Sequence, residues 1–464
     1  MKEILKNIMS LSVWAGAMML ASCESFVDLG APPTQVEYRD AFTTDASAST
    51  VVRGLYVAFA GNFNNQNLSQ MTSMFTGIAA DELQYNGTDV TTTEFATNNL
   101  LNLNSSVANL WSMSYQLIKN ANNAITGLES STSLTASLKN QLIGEAKFMR
   151  AYVYFYLVNL YGGVPLNLLP DNGAFESAKL PRASADEVYG QIVNDLRDAE
   201  DKLEIDYKAT PRGRVNKHAA SALLSRVYLY SKDYPNAELY AGKIISATQL
   251  YSLTAPTANF INSSAETILQ IANLTAVTTF GFNYVTAGAT SIPNYTLLEA
   301  VYNSFETTPA IDLRRSNWIV PKVVSNTTYY TISKYKAFTG TGNEYHILLR
   351  LSEQYLIRAE ARAYRDNLSG AKADIDAVRT RAGLGGVSSI LTKEQMLEAI
   401  ETERLHELFG EYGHRWLDLK RTGRATTVLS AIKTDWKETD ALFPIPESQR
   451  LQNKELGQNP GYEN

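Results

Sequence analysis

The sequence predicts a mainly α protein, in which helix pairs form one scaffold that carries irregular insertions and short β elements. Three observations predict it. Apolar residues recur at three- and four-residue spacing in nine separate segments of the 464-residue chain, the period of a helix with one buried face. Capping and stop signals bracket several of those segments. Two long stretches, one rich in Asn, Thr and Gln and one mixing short β-like pieces with turns, lack the period and separate the helical blocks.

In chain order, Lys2 and Lys6 precede an apolar run from Ile8 to Leu20. That run is too short for a membrane span of about 20 residues and suits a secretory signal. It ends in Leu20-Ala21-Ser22-Cys23, which resembles a bacterial lipobox. Residues 1–22 are expected to be removed, with Cys23 lipidated as the first mature residue. Removing Lys2, Glu3 and Lys6 makes the mature chain one charge more negative than the full-length −6. Cys23 is the single cysteine, so an intrachain disulfide, a Cys-based zinc site and a CxxC redox pair are all ruled out. Residues 23–38 are polar and contain proline, as expected of a tether. Residues 39–464 remain for the folded part.

The predicted helices are Ala46–Ala60, Ser106–Leu128, Ala136–Tyr161, Ala185–Leu203, Lys217–Lys232 and Pro235–Thr248, then Ser352–Arg365, Ser369–Ala382 and Lys393–Phe409. Ser184 with Glu187 reads as a capping box. Gly162-Gly163-Val164-Pro165 stops the third helix, because glycine ends helices and proline cannot continue them. Two helix pairs look like degenerate copies of one unit. Tyr230 and Ala237 in the first, and Tyr364 and Ala371 in the second, are equally spaced across a short turn. Alanine at a crossing lets helices approach closely, so these pairs resemble tetratricopeptide (TPR) units. Gly61–Ser105 and Leu250–Gly342 are read as irregular insertions, the second with β-like pieces at Thr267–Ala272 and Tyr329–Tyr335. Long insertions on a helical scaffold usually serve binding, so the ligand is expected there.

Composition excludes several functions. There are 41 basic and 47 acidic residues without basic runs, which is unsuited to nucleic acid. His406-Glu407 begins like a zincin helix, but position 410 is glycine where the second ligand must stand, so no metal is expected. Neither a GxSxG elbow nor a Walker loop occurs, and no cofactor is implied.

The densest motif is Glu403-Arg404, Glu407-Leu408, then Phe409-Gly410-Glu411-Tyr412-Gly413-His414-Arg415-Trp416, then Asp418-Leu419-Lys420-Arg421-Thr422-Gly423. With it stand Trp111, Tyr115 and Asn120-Ala121-Asn122; Tyr161 to Leu166; Leu351 to Ala361; Pro444-Ile445-Pro446; and Gln458 to Tyr462. In this order, behind a lipobox, the chain resembles the SusD/RagB family of Bacteroidetes outer-membrane lipoproteins. Departures are small: Tyr412 lies between Glu411 and Arg415, and Lys454 follows Asn453. The resemblance implies one right-handed scaffold of TPR-like helix pairs over residues 39–464, with binding insertions around 61–105 and 250–342. It also implies a lipid-anchored protein facing the cell exterior that binds oligosaccharides without chemistry and delivers them to a SusC-like TonB-dependent transporter. In some branches the ligand is a peptide.

Two groups of residues are candidate sites. Arg404, Glu407, Glu411, Arg415, Asp418 and Arg421 are expected to form a structural ion network, since arginine and carboxylate pair bidentately. The rival is a glycoside hydrolase, which needs two facing carboxylates free of arginine partners. The ligand candidates are Asp81, Tyr85, Asn86, Phe95, Phe280, Phe282, Tyr284, Tyr295 and Trp318. Flat sugar faces dock on aromatic rings, and hydroxyls need amide and carboxylate partners. The low charge of this group favours a neutral glycan.

Overall fold

The structure, a computed structural model, describes residues 40–60, 67–170, 179–209, 211–272, 279–286, 288, 290–337 and 343–462. Cys23, the signal segment and the tether lie outside the described residues.

The described elements begin with helix α1 (Asp45–Ala60), α2 (Leu68–Ala79), strand β1 (Leu83–Tyr85), α3 (Val90–Thr97), α4 (Ser105–Ser130) and α5 (Ala136–Tyr161). Next come α6 (Ala185–Lys202), α7 (Lys217–Tyr230), α8 (Tyr234–Ile245), β2 (Thr267–Ile271), α9 (Thr279–Tyr284), β3 (Tyr295–Leu297) and α10 (Glu299–Ser304). They are followed by α11 (Leu313–Trp318), β4 (Ile319–Val324), β5 (Thr327–Ile332), β6 (His346–Arg350) and α12 (Leu351–Tyr364). The chain ends with α13 (Leu368–Arg381), α14 (Lys393–Leu408), α15 (His414–Arg421), α16 (Ala425–Leu429) and α17 (Glu447–Gln452).

Local chemistry sets the boundaries. Ser184 and Glu187 form the reciprocal capping box that starts α6. Asn104, Asn216, Asp233, Asn367 and Thr392 each accept a backbone N–H at the start of a helix. Gly162, at φ +74°, stops α5 where a residue with a Cβ would be strained.

The mainly α class is confirmed, and the helices pack as a tandem series. Helices α4 to α8 each pack on the next, and α8 then packs directly on α12, which is followed by α13 and α14. The segment between α8 and α12 is looped out of the stack. The two helix pairs are therefore neighbours in space. Ala237, Ala359, Ala363 and Ala371 at their crossings are fully buried. Tyr234 and Tyr364 stack between the pairs, with ring centroids 4.2 Å apart. Arg226 of α7 and Glu353 of α12 join them by a bidentate ion pair at 2.6 and 2.7 Å.

The looped-out segment builds most of an antiparallel four-stranded sheet, ordered β1-β3-β5-β4, with β1 supplied from the other insertion. Strands β2 and β6 pair separately.

One expectation is corrected. The stretch 61–105 reads as irregular, yet it contains α2, β1 and α3. Every residue of α2 is buried, its polar Ser, Thr and Gln residues included, so its composition is that of a loop while its environment is that of a core. Two of its four hydroxyls bond back into the helix: Ser73 Oγ donates to the Ser69 carbonyl at 2.8 Å and Thr76 Oγ1 to the Thr72 carbonyl at 2.6 Å. Ser73 Oγ also accepts the Tyr412 N–H at 2.7 Å, which fastens the charged motif's loop onto α2.

Candidate functional site

Strand β1 pairs with β3 in the register Leu83–Leu297 to Tyr85–Tyr295. The Leu298 N–H donates to the Glu82 carbonyl at 2.9 Å, so α10 starts beside β1. Between them a hollow of about 800 Å³ opens, closed by the end of α3, Leu405 of α14 and residues 428–435. Its walls are largely aliphatic, including Ile78, Leu83, Val301, Leu405, Val428 and Ile432. Tyr85 supplies a ring that rests on Tyr295 at 5.5 Å, and its hydroxyl accepts the Asp89 N–H at 3.1 Å.

Charges line the hollow as well. Asp81 accepts two hydrogen bonds from Arg415, both 2.7 Å, and Arg415 also reaches Glu401 at 2.9 Å. Lys433 donates to the Ala96 carbonyl at 2.8 Å and to the Ile78 carbonyl. Burial pushes its ammonium down to about 8, against the opposing pull of Asp81. Glu299 and Asp435 lie at the exposed rim.

Glu82 is buried next to the hollow and accepts the Gly410 N–H at 2.5 Å. Burial pushes its carboxyl up to about 7, although the Gly410 bond and Lys334 favour the charged form. From about pH 4.5 to 7 the folded protein therefore keeps a proton that the unfolded chain has released. Stability from this group is present at low pH and is lost as pH rises through 7. Glu82→Gln is thus expected to gain roughly 1–3 kcal/mol over wild type at pH 8 and little at pH 4. Urea denaturation at the two pH values checks this, and an equal effect at both would refute it.

Of the candidate ligand residues, the structure brings Asp81 and Tyr85 to the hollow. Phe95, Phe280, Tyr284, Tyr295 and Trp318 are buried instead, so an exposed aromatic platform built from them is corrected to core packing. Phe95 stacks on Phe75 at 4.3 Å, Phe280 on Tyr335 at 5.4 Å, and Trp318 Nε1 donates to the Pro256 carbonyl at 2.7 Å. The Tyr284 hydroxyl donates to the Gly410 carbonyl at 3.3 Å. Asn86 ties β1 to β3, its amide donating to the Pro293 carbonyl and to Thr296 Oγ1. The Phe282 side chain lies outside the described residues. Lys433 and α10 carry no motif. The only sequence signal for Lys433 is a single cation between Ile432 and a polar turn.

The motif residues pair with one another and with arginines from other elements. Glu407 is bound by Arg314, Arg350 and Arg381; burial opposes its charge, but the three arginines hold its carboxyl well below the usual range. Glu411 accepts from Lys334 and Arg350. Asp418 accepts from Arg404 and Arg421, and Arg421 also grips Glu360. Each of these three carboxylates is paired with at least two cations. Among the described residues no group of His, Cys, Asp and Glu is arranged to hold a metal ion.

The described residues thus form a helical stack whose insertions wall a hollow beside Asp81 and Tyr85. Residues 36–229 match a SusD-like family described as starch-binding and associating with the outer membrane, and residues 279–462 match the SusD family. The chain belongs to the SusD/RagB family. Proteins of this family bind nutrients and glycans rather than act as enzymes, and are associated with the outer membrane. A SusD-like protein of Bacteroides ovatus is 29% identical over 226 residues. That match takes in 47% of this chain and 39% of the relative, so the chain spans about two-fifths of that relative's length. A SusD superfamily crystal structure from Bacteroides vulgatus superimposes with a TM-score of 0.80 at 20% identity, covering 90% of this chain and 99% of that one. A laminarin-binding SusD-like protein superimposes at 0.74 with 25% identity, covering 90% and 99%. No described helix is long and apolar enough to cross a membrane.

Proposed function

We propose that this protein is a lipid-anchored lipoprotein on the outer face of the outer membrane, which captures oligosaccharides in the hollow beside Tyr85 and delivers them to a SusC-like TonB-dependent transporter. The observation that carries the reading is the hollow itself, where Asp81 and Tyr85 converge in a family whose members bind glycans. The laminarin-binding neighbour supports the same ligand class. Binding is read as free of chemistry from the family, whose members bind carbohydrate. Modest affinity suffices where the transporter lies alongside, since tethering raises the effective concentration.

Calorimetry of the full chain against a panel of oligosaccharides tests the ligand. Saturable binding by some of them is expected, and silence across the panel with binding of peptides would reverse the reading. One observation favours that second ligand class: the walls are aliphatic, which suits peptide side chains. For the anchor, Cys23→Ser is expected to abolish acyl labelling and release the protein from membranes. Membrane retention by the unlabelled variant would exclude lipidation at Cys23. Pull-down from native membranes is expected to recover a large β-barrel partner.

A further inference from the structure

Lys433 is held in an unusual way. It lines the hollow, and its ammonium donates to two backbone carbonyls, those of Ile78 and Ala96, which also line it. Both carbonyls belong to the last turns of helices, α2 and α3, where the helix dipole offers partial negative charge. Two partners leave the third ammonium proton without one among the described residues. No carboxylate stands within ion-pair distance of this cation among the described residues, in contrast to the arginines of the motif.

The other charges around it do not fill that role. Asp81 is neutralised by Arg415. Glu299 accepts the Tyr330 hydroxyl at 3.0 Å and is exposed to solvent, as is Asp435. A half-buried ammonium without a counter-ion in an aliphatic wall is costly, and its dipolar partners offset only part of that cost. A ligand anion that reached it would make a charge-assisted hydrogen bond in a place of low dielectric, where such bonds are strong. Burial depresses the ammonium pKa, and the pull of Asp81 offsets only part of that effect.

We propose that Lys433 is the seat of a carboxylate, so that the hollow selects acidic oligosaccharides, those containing a uronic acid, over neutral ones. This rests on the reading of the hollow as the glycan site. The carboxylate accepts the free ammonium proton, while the sugar's CH faces lie against Leu83, Val301 and Ile432 and the ring of Tyr85. The neutral preference suggested by the low charge of the sequence candidates is thereby reversed, because the residue that decides it lies outside those candidates.

The test is calorimetry of the full chain with a galacturonate tetramer and with the same tetramer after its carboxyl groups are reduced to hydroxymethyl groups. The acid form is expected to bind at least about tenfold tighter, the size of one charge-assisted hydrogen bond. Lys433→Met is expected to remove that ratio and Lys433→Arg to keep most of it. The ligand comparison uses wild-type protein, so it decides the matter even if Lys433→Met unfolds. Equal or tighter binding of the reduced tetramer would overturn the carboxylate seat and leave glycan capture standing. Binding of neither tetramer nor any neutral oligosaccharide, with peptides bound instead, would overturn both.

Discussion

Arg226→Met is expected to destabilise the protein by roughly 3–5 kcal/mol, the cost of leaving a buried charge without its partner. Arg226 and Glu353 are each about 1% exposed and bind each other through two hydrogen bonds. Glu353 has no other cation within ion-pair distance among the described residues, so the variant strands a carboxylate between α7 and α12. The same guanidinium also donates to the Leu348 carbonyl and the Tyr156 hydroxyl, which lose a donor as well. Against a total stability of about 5–15 kcal/mol this is a large fraction. The double variant Arg226→Met with Glu353→Leu is expected to recover most of the loss, because removing both charges removes the desolvation cost that the pair had to offset. Urea denaturation of the three proteins decides it. A double variant as unstable as the single one would mean that packing around Arg226, and not the stranded charge, sets the cost.

That pair belongs to a larger arrangement. The motif from Glu403 to Arg421 is a set of buried cross-links whose partners come from far along the chain: Arg314, Lys334, Arg350, Glu360 and Asp81. Most of these links tie the motif to the insertions, and Arg421–Glu360 ties α15 to α12. The Arg415–Asp81 pair is the direct connection, because Asp81 is both a motif partner and part of the wall. The charges of the motif thus hold distant segments together, and through Asp81 they reach the wall of the hollow.

The fold was legible wherever apolar residues recurred densely at helical spacing and a clear stop followed. Ala136–Tyr161 is read to the residue because Gly162-Gly163 and Pro165 end it without ambiguity. Helix α2 was not legible. Its apolar residues Leu68, Met71, Phe75 and Ile78 recur at helical spacing, but they are interleaved with Ser, Thr and Gln that are buried as well, and its composition imitates a loop. The aromatic residues of the insertions misled for a related reason. Phe280 and Trp318 lie in polar surroundings in sequence but pack against Tyr335 and Phe260 in space, partners more than 50 residues away in the chain. Asp81 and Tyr85 could be named because they sit in one short segment with recognisable chemistry. Lys433 and Ala300 could not, since each joins the hollow only after more than 200 residues of intervening chain have folded.

Blocking the hollow is expected to have the largest effect on function. Ala300 in α10 and Thr97 at the end of α3 both line it and both are solvent-exposed. An indole introduced at either position extends from a different wall into the space the ligand needs. Exposed sites tolerate such a change within about 0.5 kcal/mol of stability, so folding is expected to be preserved. Ala300→Trp and Thr97→Trp are each expected to weaken oligosaccharide binding by about tenfold, which corresponds to about 1.4 kcal/mol of lost contact. Combined, they are expected to reduce it by about a hundredfold, additivity applying because each obstructs from its own element. The measurement is calorimetry paired with thermal unfolding, so that a loss of binding at unchanged Tm is attributed to the hollow. In cells, the same double variant is expected to slow growth on the bound glycan without lowering the amount of protein at the surface. Full affinity in the double variant would place the ligand elsewhere on the molecule. The aliphatic hollow would then be left without the role assigned to it, and Lys433 without its carboxylate.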